Sequence, residues 1–131
     1  MSTKFLFVNA KLADGTVSDI EVSDDRISAM GVGLNSPDTE RIDCAGLVAL
    51  PGFVDLHTHL REPGFEQSET VLTGTQAAAM GGYTAVHAMA NTSPVADTAG
   101  VVEQVAALGR EAGYADVYPI GAVTVGLEGK Q

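Results

Sequence analysis

The stretch Pro51–Gly64 constrains this chain most, because it ends an apolar run with two histidines one residue apart and then turns at once. In a β-strand, alternate side chains share a face, so His57 and His59 are expected to point the same way, roughly 6.5 Å apart along the chain. Two imidazoles at that spacing can bind one metal ion at about 2.0–2.1 Å each. The pair is therefore a candidate metal site.

The neighbouring residues leave two interpretations open. Asp55 shares the face of the histidines while Val54 and Leu56 face the other way, as in a half-buried strand whose histidines only form hydrogen bonds. The pair also ends a strand, with Arg61 and Glu62 directly after it. That is where a (β/α) barrel builds its active site. Spacing alone does not decide between a structural and a metal-binding role.

Three motifs resemble those of a known family. Residues 51–59 (PGFVDLHTH) resemble the first barrel strand of the amidohydrolase superfamily, and residues 60–64 (LREPG) narrow the resemblance to dihydroorotases. Residues 88–95 (AMANTSPV) strengthen it, and residues 69–70 and 74–84 are similar to the family's first helix and second strand. The motifs follow in the family's order, and the resemblance extends from about Phe7 to the last residue.

The resemblance implies a zinc-dependent hydrolase that interconverts N-carbamoyl-L-aspartate and dihydroorotate in pyrimidine biosynthesis. It implies His57 and His59 as ligands of one or two zinc ions, and His59, Arg61 and Asn91 as substrate-binding residues. Arginine suits this role because its planar fork can bind a carboxylate through two hydrogen bonds. The family's general-base aspartate and its other metal ligands lie further along the chain, so no catalytic residue is expected within residues 1–131.

Other ionisable residues near the motifs receive structural interpretations. We interpret His87 as a packed or hydrogen-bonded histidine, because it lies deep in the second strand. Glu62 is expected to shape a turn, and Glu69 to lie in the first turn of a helix, where the helix dipole favours its charge. Ala90 stands where the family usually has proline, a departure that leaves Asn91 itself in place.

The predicted fold class is α/β. We expect the first three strand–helix units of a (β/α)8 TIM barrel in residues 51–131, preceded in residues 1–50 by the N-terminal strands of a small composite β-sandwich. A complete barrel takes about 250 residues. The chain is therefore expected to be the N-terminal portion of a longer enzyme, and to be inactive and poorly folded alone, since three strands cannot close a barrel.

Periodicity and turn residues predict the elements individually. Helices are expected from about Ser68, a possible N-cap, to Met80, and after a cap at Asp97 up to Gly113, each with one less polar face. The predicted strands are Phe5–Val8, Asp19–Val22, Arg26–Met30, Leu47–Leu50, Phe53–His59, Tyr83–Met89 and Asp116–Thr124.

Composition limits the partners. Seven basic and 17 acidic residues give a net charge of −10 without a basic cluster, so neither nucleic acid nor an anionic membrane is an expected partner. Cys44 is the sole cysteine and the N-terminal apolar run is short, which favours a cytoplasmic protein. The expected partner is the small-molecule substrate, and a homo-oligomer of the full enzyme is compatible with the sequence.

Three alternatives remain. An allantoinase or hydantoinase would share the histidine pair, but Arg61 with Asn91 fits a ring that carries a carboxylate. A non-catalytic assembly partner would have no need of His57 and His59. A binding or regulatory role for the 131-residue chain itself has no supporting feature in the sequence.

Overall fold

The computed structural model describes residues 4–37 and 39–130. The chain divides into two compact units, Met1–Pro51 and Gly52–Gln131. Their predicted assignment to a β-sandwich and to a barrel stays a prediction.

The first unit is a four-stranded sheet. Its strands are β1 (Lys4–Lys11), β2 (Val17–Ser23), β3 (Arg26–Gly31) and β4 (Glu40–Asp43), in the order β3-β2-β1-β4. β2 pairs antiparallel with both β1 and β3, and β4 runs parallel to β1. Leu6, Val8 and Ala10 alternate along β1 and are buried, which is the period of two expected for a strand with one covered face.

One predicted strand of this unit is wrong and one observed strand was missed. Leu47–Leu50 is not a strand: Val48 forms an isolated bridge with Lys11. The additional strand is β4, in which Ile42 is flanked by charged residues and is only half-buried. Backbone pairing with β1 holds this edge strand in place, and hydrophobic periodicity carries no signal of such pairing.

The second unit is a parallel sheet covered by two helices. The strands β5 (Phe53–Thr58), β6 (Tyr83–Ala88) and β7 (Asp116–Pro119) lie in chain order, connected by α1 (Val71–Met80) and α2 (Ala99–Ala112). The predicted strand–helix alternation and parallel pairing are confirmed. β7 ends at Pro119 rather than at Thr124, and a 3-10 turn at Val125–Leu127 follows. The described residues thus hold two strand–helix units and a third strand, not three complete units.

Both helices begin at a threonine cap instead of the predicted residue. The hydroxyl of Thr70 accepts from the Thr73 N–H, while the Thr73 hydroxyl accepts from the Thr70 N–H. The N-cap of α1 is therefore Thr70, two residues after the predicted Ser68. Thr98, not Asp97, caps α2. The predicted ends are confirmed: Gly81 follows α1, and Gly113 follows α2 with a left-handed φ of 70°.

The core of the second unit lies between the sheet and the helices. The side chains of Val86 and Ala88 in β6 point to this side, so even-numbered residues of β6 face the helices. Odd-numbered residues of β6, including His87, therefore face the opposite side. The buried core residues are Leu60, Val71, Val86, Ala88 and Val105.

Candidate metal and substrate site

The histidine pair lies where β5 ends. The strand stops at Thr58 rather than at the predicted His59. His57 is therefore its penultimate residue, and His59 is the first residue after the strand. The ring centroids are 5.2 Å apart in an edge-on arrangement. His57 is exposed and His59 is half-buried, so both imidazoles are accessible at the carboxyl end of the sheet.

His59 is joined to Asn91, a residue 32 positions further along the chain. The His59 Nδ1 and the Asn91 Oδ1 are 2.8 Å apart. A carbonyl oxygen can only accept, so the shared proton belongs to Nδ1 of the imidazole. The sequence motifs predicted a site role for each residue but not this bond. Their positions beyond the ends of adjacent parallel strands were the signal that could have found it.

Arg61 lies in the loop after β5 and has an unusual backbone conformation. Its φ is 64°, in the left-handed region, and its carbonyl accepts from the Phe65 N–H at 2.9 Å. Non-glycine residues adopt this region rarely, and such residues cluster at functional sites. Within residues 4–37 and 39–130, the half-buried Arg61 side chain makes no ion pair and no hydrogen bond with Asn91.

The loops that carry Arg61 and Asn91 are packed directly against each other. The Ser93 N–H donates to the Pro63 carbonyl at 2.9 Å. Gly64 has a φ of 102°, and a Cβ built there would lie 2.5 Å from the Ser93 Cβ and overlap the Ser93 carbonyl. The second loop is also held from within, because the Ala90 carbonyl accepts from Thr92 and Ala96. These contacts fix the positions from which Arg61 and Asn91 project.

Glu62 connects its loop to the helix that follows. Its carboxylate accepts from the Val71 N–H at 2.7 Å, which anchors the loop to the start of α1. Glu69 does not lie in the first turn of the helix as predicted; it precedes the Thr70 cap, since α1 starts at Val71. Neither carboxylate contacts the histidine pair in the part of the chain that the structure describes.

Asp55 lies beneath the histidine pair as a carboxylate. The His57 N–H donates to it at 2.9 Å, and chiefly this bond holds the pKa of Asp55 below its usual value, with smaller contributions from neighbours that include His57 and His87. His87 points to the Asp55 carbonyl, 3.3 Å from its Nδ1, and stacks on Tyr118 with ring centroids 5.3 Å apart. The interpretation of His87 as a packed, hydrogen-bonded residue is confirmed.

The donors present suit part of a zinc site. Imidazole is a preferred zinc ligand, and the bond from His59 Nδ1 leaves Nε2 with its lone pair. Among residues 4–37 and 39–130, no group of three or more His, Cys, Asp or Glu side chains is placed to hold a metal. His57 and His59 are therefore two candidate metal ligands and do not form a complete ligand set by themselves.

The comparisons with known proteins decide the family. Residues 46–131 match the family described as dihydro-orotase-like. The chain belongs to the dihydro-orotase-like family. Relatives in this family include the dihydroorotase of Leifsonia xyli, 65% identical over 97% of this chain and 29% of the relative. The dihydroorotase of Streptomyces coelicolor is 61% identical over 97% of this chain and 30% of its own length. The chain thus spans about 30% of these curated relatives.

Solved structures of related enzymes share the architecture. The L-hydantoinase (dihydropyrimidinase) of Arthrobacter aurescens superposes with a TM-score of 0.78 at 25% identity, over 93% of this chain and 28% of that one. The dihydropyrimidinase of Brevibacillus agri gives a TM-score of 0.70 at 30% identity, over 92% of this chain and 27% of that one. The predicted α/β class and the resemblance to dihydroorotases are both confirmed.

No helix among the described residues is long and apolar enough to cross a membrane.

Proposed function

We propose that the protein to which this chain belongs is a zinc-dependent dihydroorotase that interconverts N-carbamoyl-L-aspartate and dihydroorotate in pyrimidine biosynthesis. The observation that carries the proposal is the hydrogen bond of 2.8 Å between His59 and Asn91, since it joins the candidate metal-binding motif to the candidate carboxylate-binding motif. Relatives called dihydroorotase, from 56% to 65% identical to this chain, support it.

His57 and His59 would hold the zinc, as one or two ions. Their adjacent, accessible rings suit this role, and further ligands would complete the three protein ligands typical of a catalytic zinc. A bound zinc supplies two effects: it lowers the pKa of a water molecule towards about 7, and it polarises a carbonyl group. In the hydrolytic direction, water adds to the ring amide carbonyl and the C–N bond opens, with the proton passing to nitrogen.

Arg61, Asn91 and His59 would bind the substrate. The Arg61 guanidinium, which has no ion pair in the described part of the chain, offers two parallel N–H donors to the ring carboxylate. Asn91 offers its NH2 group, because its oxygen already accepts from His59. The close packing of Gly64 on Ser93 holds the two loops, so the backbone positions that carry both donors are set before the substrate arrives.

The same proposal extends to the architecture of the complete protein. We propose that residues 51–131 begin a (β/α)8 barrel and that residues 1–50 supply strands to a β-sandwich. The parallel order β5-β6-β7 supports the first part. Exposed apolar side chains on the first sheet, such as Ile27 and Met30, support the second, since a partner sheet would cover them. We further propose a cytoplasmic enzyme without nucleic-acid or membrane partners, free to form a homo-oligomer.

A second candidate is a cyclic amidase of the hydantoinase type. The observation that favours it is the similarity to the hydantoinase and dihydropyrimidinase structures. Arg61 discriminates between the two candidates, because hydantoin and dihydrouracil carry no ring carboxylate for a guanidinium to bind.

The deciding experiment compares substrates on the protein expressed from its whole coding sequence. We expect dihydroorotate to be hydrolysed much faster than hydantoin or dihydrouracil. Faster turnover of hydantoin would replace this proposal by the second candidate, and no turnover of any ring would favour a non-catalytic homologue. The isolated chain of 131 residues is expected to show no turnover in the same assay.

A further inference from the structure

We infer that Asn91 is a positioning residue for the metal site in addition to a substrate contact: its Oδ1 holds His59 in the tautomer that can bind zinc, which leaves its NH2 group for the substrate carboxylate. The inference rests on the proposed function, because it takes His59 as a zinc ligand and a carboxylate as the group recognised.

The Asn91 oxygen fixes the position of the proton on the His59 ring. Its Nδ1 lies 2.8 Å from the Asn91 Oδ1, and an amide oxygen accepts hydrogen bonds without donating. The neutral ring is therefore held with its proton on Nδ1 and its lone pair on Nε2. Ligating histidines commonly donate their other ring N–H to an oxygen in this way, which fixes the ring orientation and makes the ligating nitrogen more basic.

The bond to His59 also determines which group of the Asn91 amide is left for a ligand. An asparagine side chain has one oxygen acceptor and one NH2 group with two donors. Because His59 occupies the oxygen, the group left for a ligand is the NH2, and a carboxylate is the complementary acceptor. One side chain would thus connect the zinc ligand to the substrate. With zinc on Nε2 the ring proton lies on Nδ1, so the reverse orientation of the amide would set its NH2 group against that N–H.

The backbone of Asn91 is itself held in place. The carbonyl of its neighbour Ala90 accepts from Thr92 at 2.9 Å and from Ala96 at 3.0 Å, and the Thr92 hydroxyl donates to the Pro94 carbonyl at 2.7 Å. Asparagine has a short side chain, so a fixed backbone places its oxygen closely. A residue that holds a metal ligand needs such a support.

The experiment separates the two functions of the amide in the protein expressed from its whole coding sequence. Asn91→Asp keeps an oxygen acceptor for His59 but replaces the NH2 donors by a second oxygen, while Asn91→Ala removes both groups. The zinc affinity of the metal-free protein is measured by chelator competition, and KM and kcat are measured with dihydroorotate. Asn91→Ser gives a second truncation if the alanine variant does not fold.

We expect Asn91→Ala to weaken zinc binding by about 10–100-fold and to raise KM. Asn91→Asp should bind zinc nearly as the wild type does, yet raise KM at least as much, because two carboxylates repel. Arg61→Ala is the matched control: it should raise KM and leave zinc affinity unchanged, since Arg61 makes no hydrogen bond with His59 in the described structure.

Two results would overturn the inference. Unchanged zinc affinity in both truncations would remove the positioning role, and equal loss in Asn91→Asp and Asn91→Ala would show that an oxygen acceptor is not what matters. Zinc binding by His57→Ala and His59→Ala distinguishes the failures. If these variants lose zinc and the Asn91 truncations do not, the inference fails while the proposed metal site stands. If they keep zinc, the proposed metal site fails and the inference falls with it.

Discussion

Gly64 packs against Ser93 at the point where the two loops of the candidate site meet. The Ser93 N–H donates to the Pro63 carbonyl at 2.9 Å, and Gly64 leaves no room for a side chain because a Cβ would overlap the Ser93 backbone. Its φ of 102° is also one that glycine alone adopts readily. The contact fixes the loop of Arg61 relative to the loop of Asn91.

Replacement of Gly64 by alanine should therefore destabilise the protein and impair substrate binding together. Steric overlap in a packed site costs about 1–3 kcal/mol, and the two loops should separate, which raises KM for dihydroorotate. Unfolding in denaturant and steady-state kinetics measure the two effects. Gly100→Ala in α2 is the control, because its Cβ would meet no atom within 4 Å, and it should stabilise by up to about 1 kcal/mol. Unchanged stability and KM in Gly64→Ala would mean that the loops are not held at this contact.

The histidine pair should account for bound metal. His57→Ala and His59→Ala are each expected to lose most activity and to lower the zinc content of the purified protein, measured by elemental analysis, because each removes an imidazole donor. His87→Ala is the control, since His87 stacks on Tyr118 and should not be needed for zinc. Full zinc content in a His57, His59 double variant would refute the assignment.

Arg61 should determine the choice of substrate. A hydrogen bond to a charged group contributes about 1.5–3 kcal/mol, so Arg61→Ala should lower kcat/KM for dihydroorotate by about tenfold to a few hundredfold. Arg61→Lys should recover part of this loss, because an ammonium group lacks the planar fork. The rate on dihydrouracil, which has no carboxylate, should change little. An equal loss on both rings would assign Arg61 to the fold or the metal instead.

The backbone conformation of Arg61 yields a separate prediction about stability. A left-handed φ of 64° costs an L-residue about 1–2 kcal/mol, and glycine does not incur that cost. After allowing for the greater chain entropy of unfolded glycine, Arg61→Gly should be more stable than Arg61→Ala by about 1 kcal/mol. Both should have the same low activity. Thermal unfolding of the two variants makes the comparison, and a less stable glycine variant would contradict the observed φ.

Asp19 should make the first unit sensitive to acid. This buried carboxylate accepts from the backbone N–H groups of Asn9, Gly33 and Leu34, and the bond from Asn9 is the main reason that the pKa of Asp19 is lowered from 3.8. A lowered folded pKa stabilises the protein above the unfolded value and loses that effect as the pH falls through the folded value. Asp19→Asn should thus destabilise at pH 7.

The size of this destabilisation should decrease as the pH falls from about 5 to below the folded pKa of Asp19, because the wild-type carboxylate is then protonated too. Urea unfolding of both proteins across this range makes the measurement. Asp25→Asn serves as the control, since the Asp25 side chain is 82% exposed and should have little effect at any pH. A difference between wild type and Asp19→Asn that does not depend on pH would show that shape, not charge, matters at this position.

Local patterns alone determined much of the second unit. The apolar run that ends in two histidines predicted a strand at Phe53–His59, which is observed at Phe53–Thr58. The glycines at positions 81 and 113 predicted where the helices end. These features depend on neighbours within a few residues, where side-chain direction and backbone preference follow directly from sequence. The motif around Arg61 likewise identified the family from residues that lie close together in the chain.

Contacts between distant residues were decided by the tertiary structure. β4 exists because its backbone pairs with β1, although its charged residues give no strand signal. The cap of α1 depends on reciprocal threonines and on the Glu62 carboxylate reaching back from a loop. The bond between His59 and Asn91 joins residues 32 positions apart. No local preference encodes such a bond, since it forms only when two parallel strands bring their carboxyl ends to the same edge of one sheet.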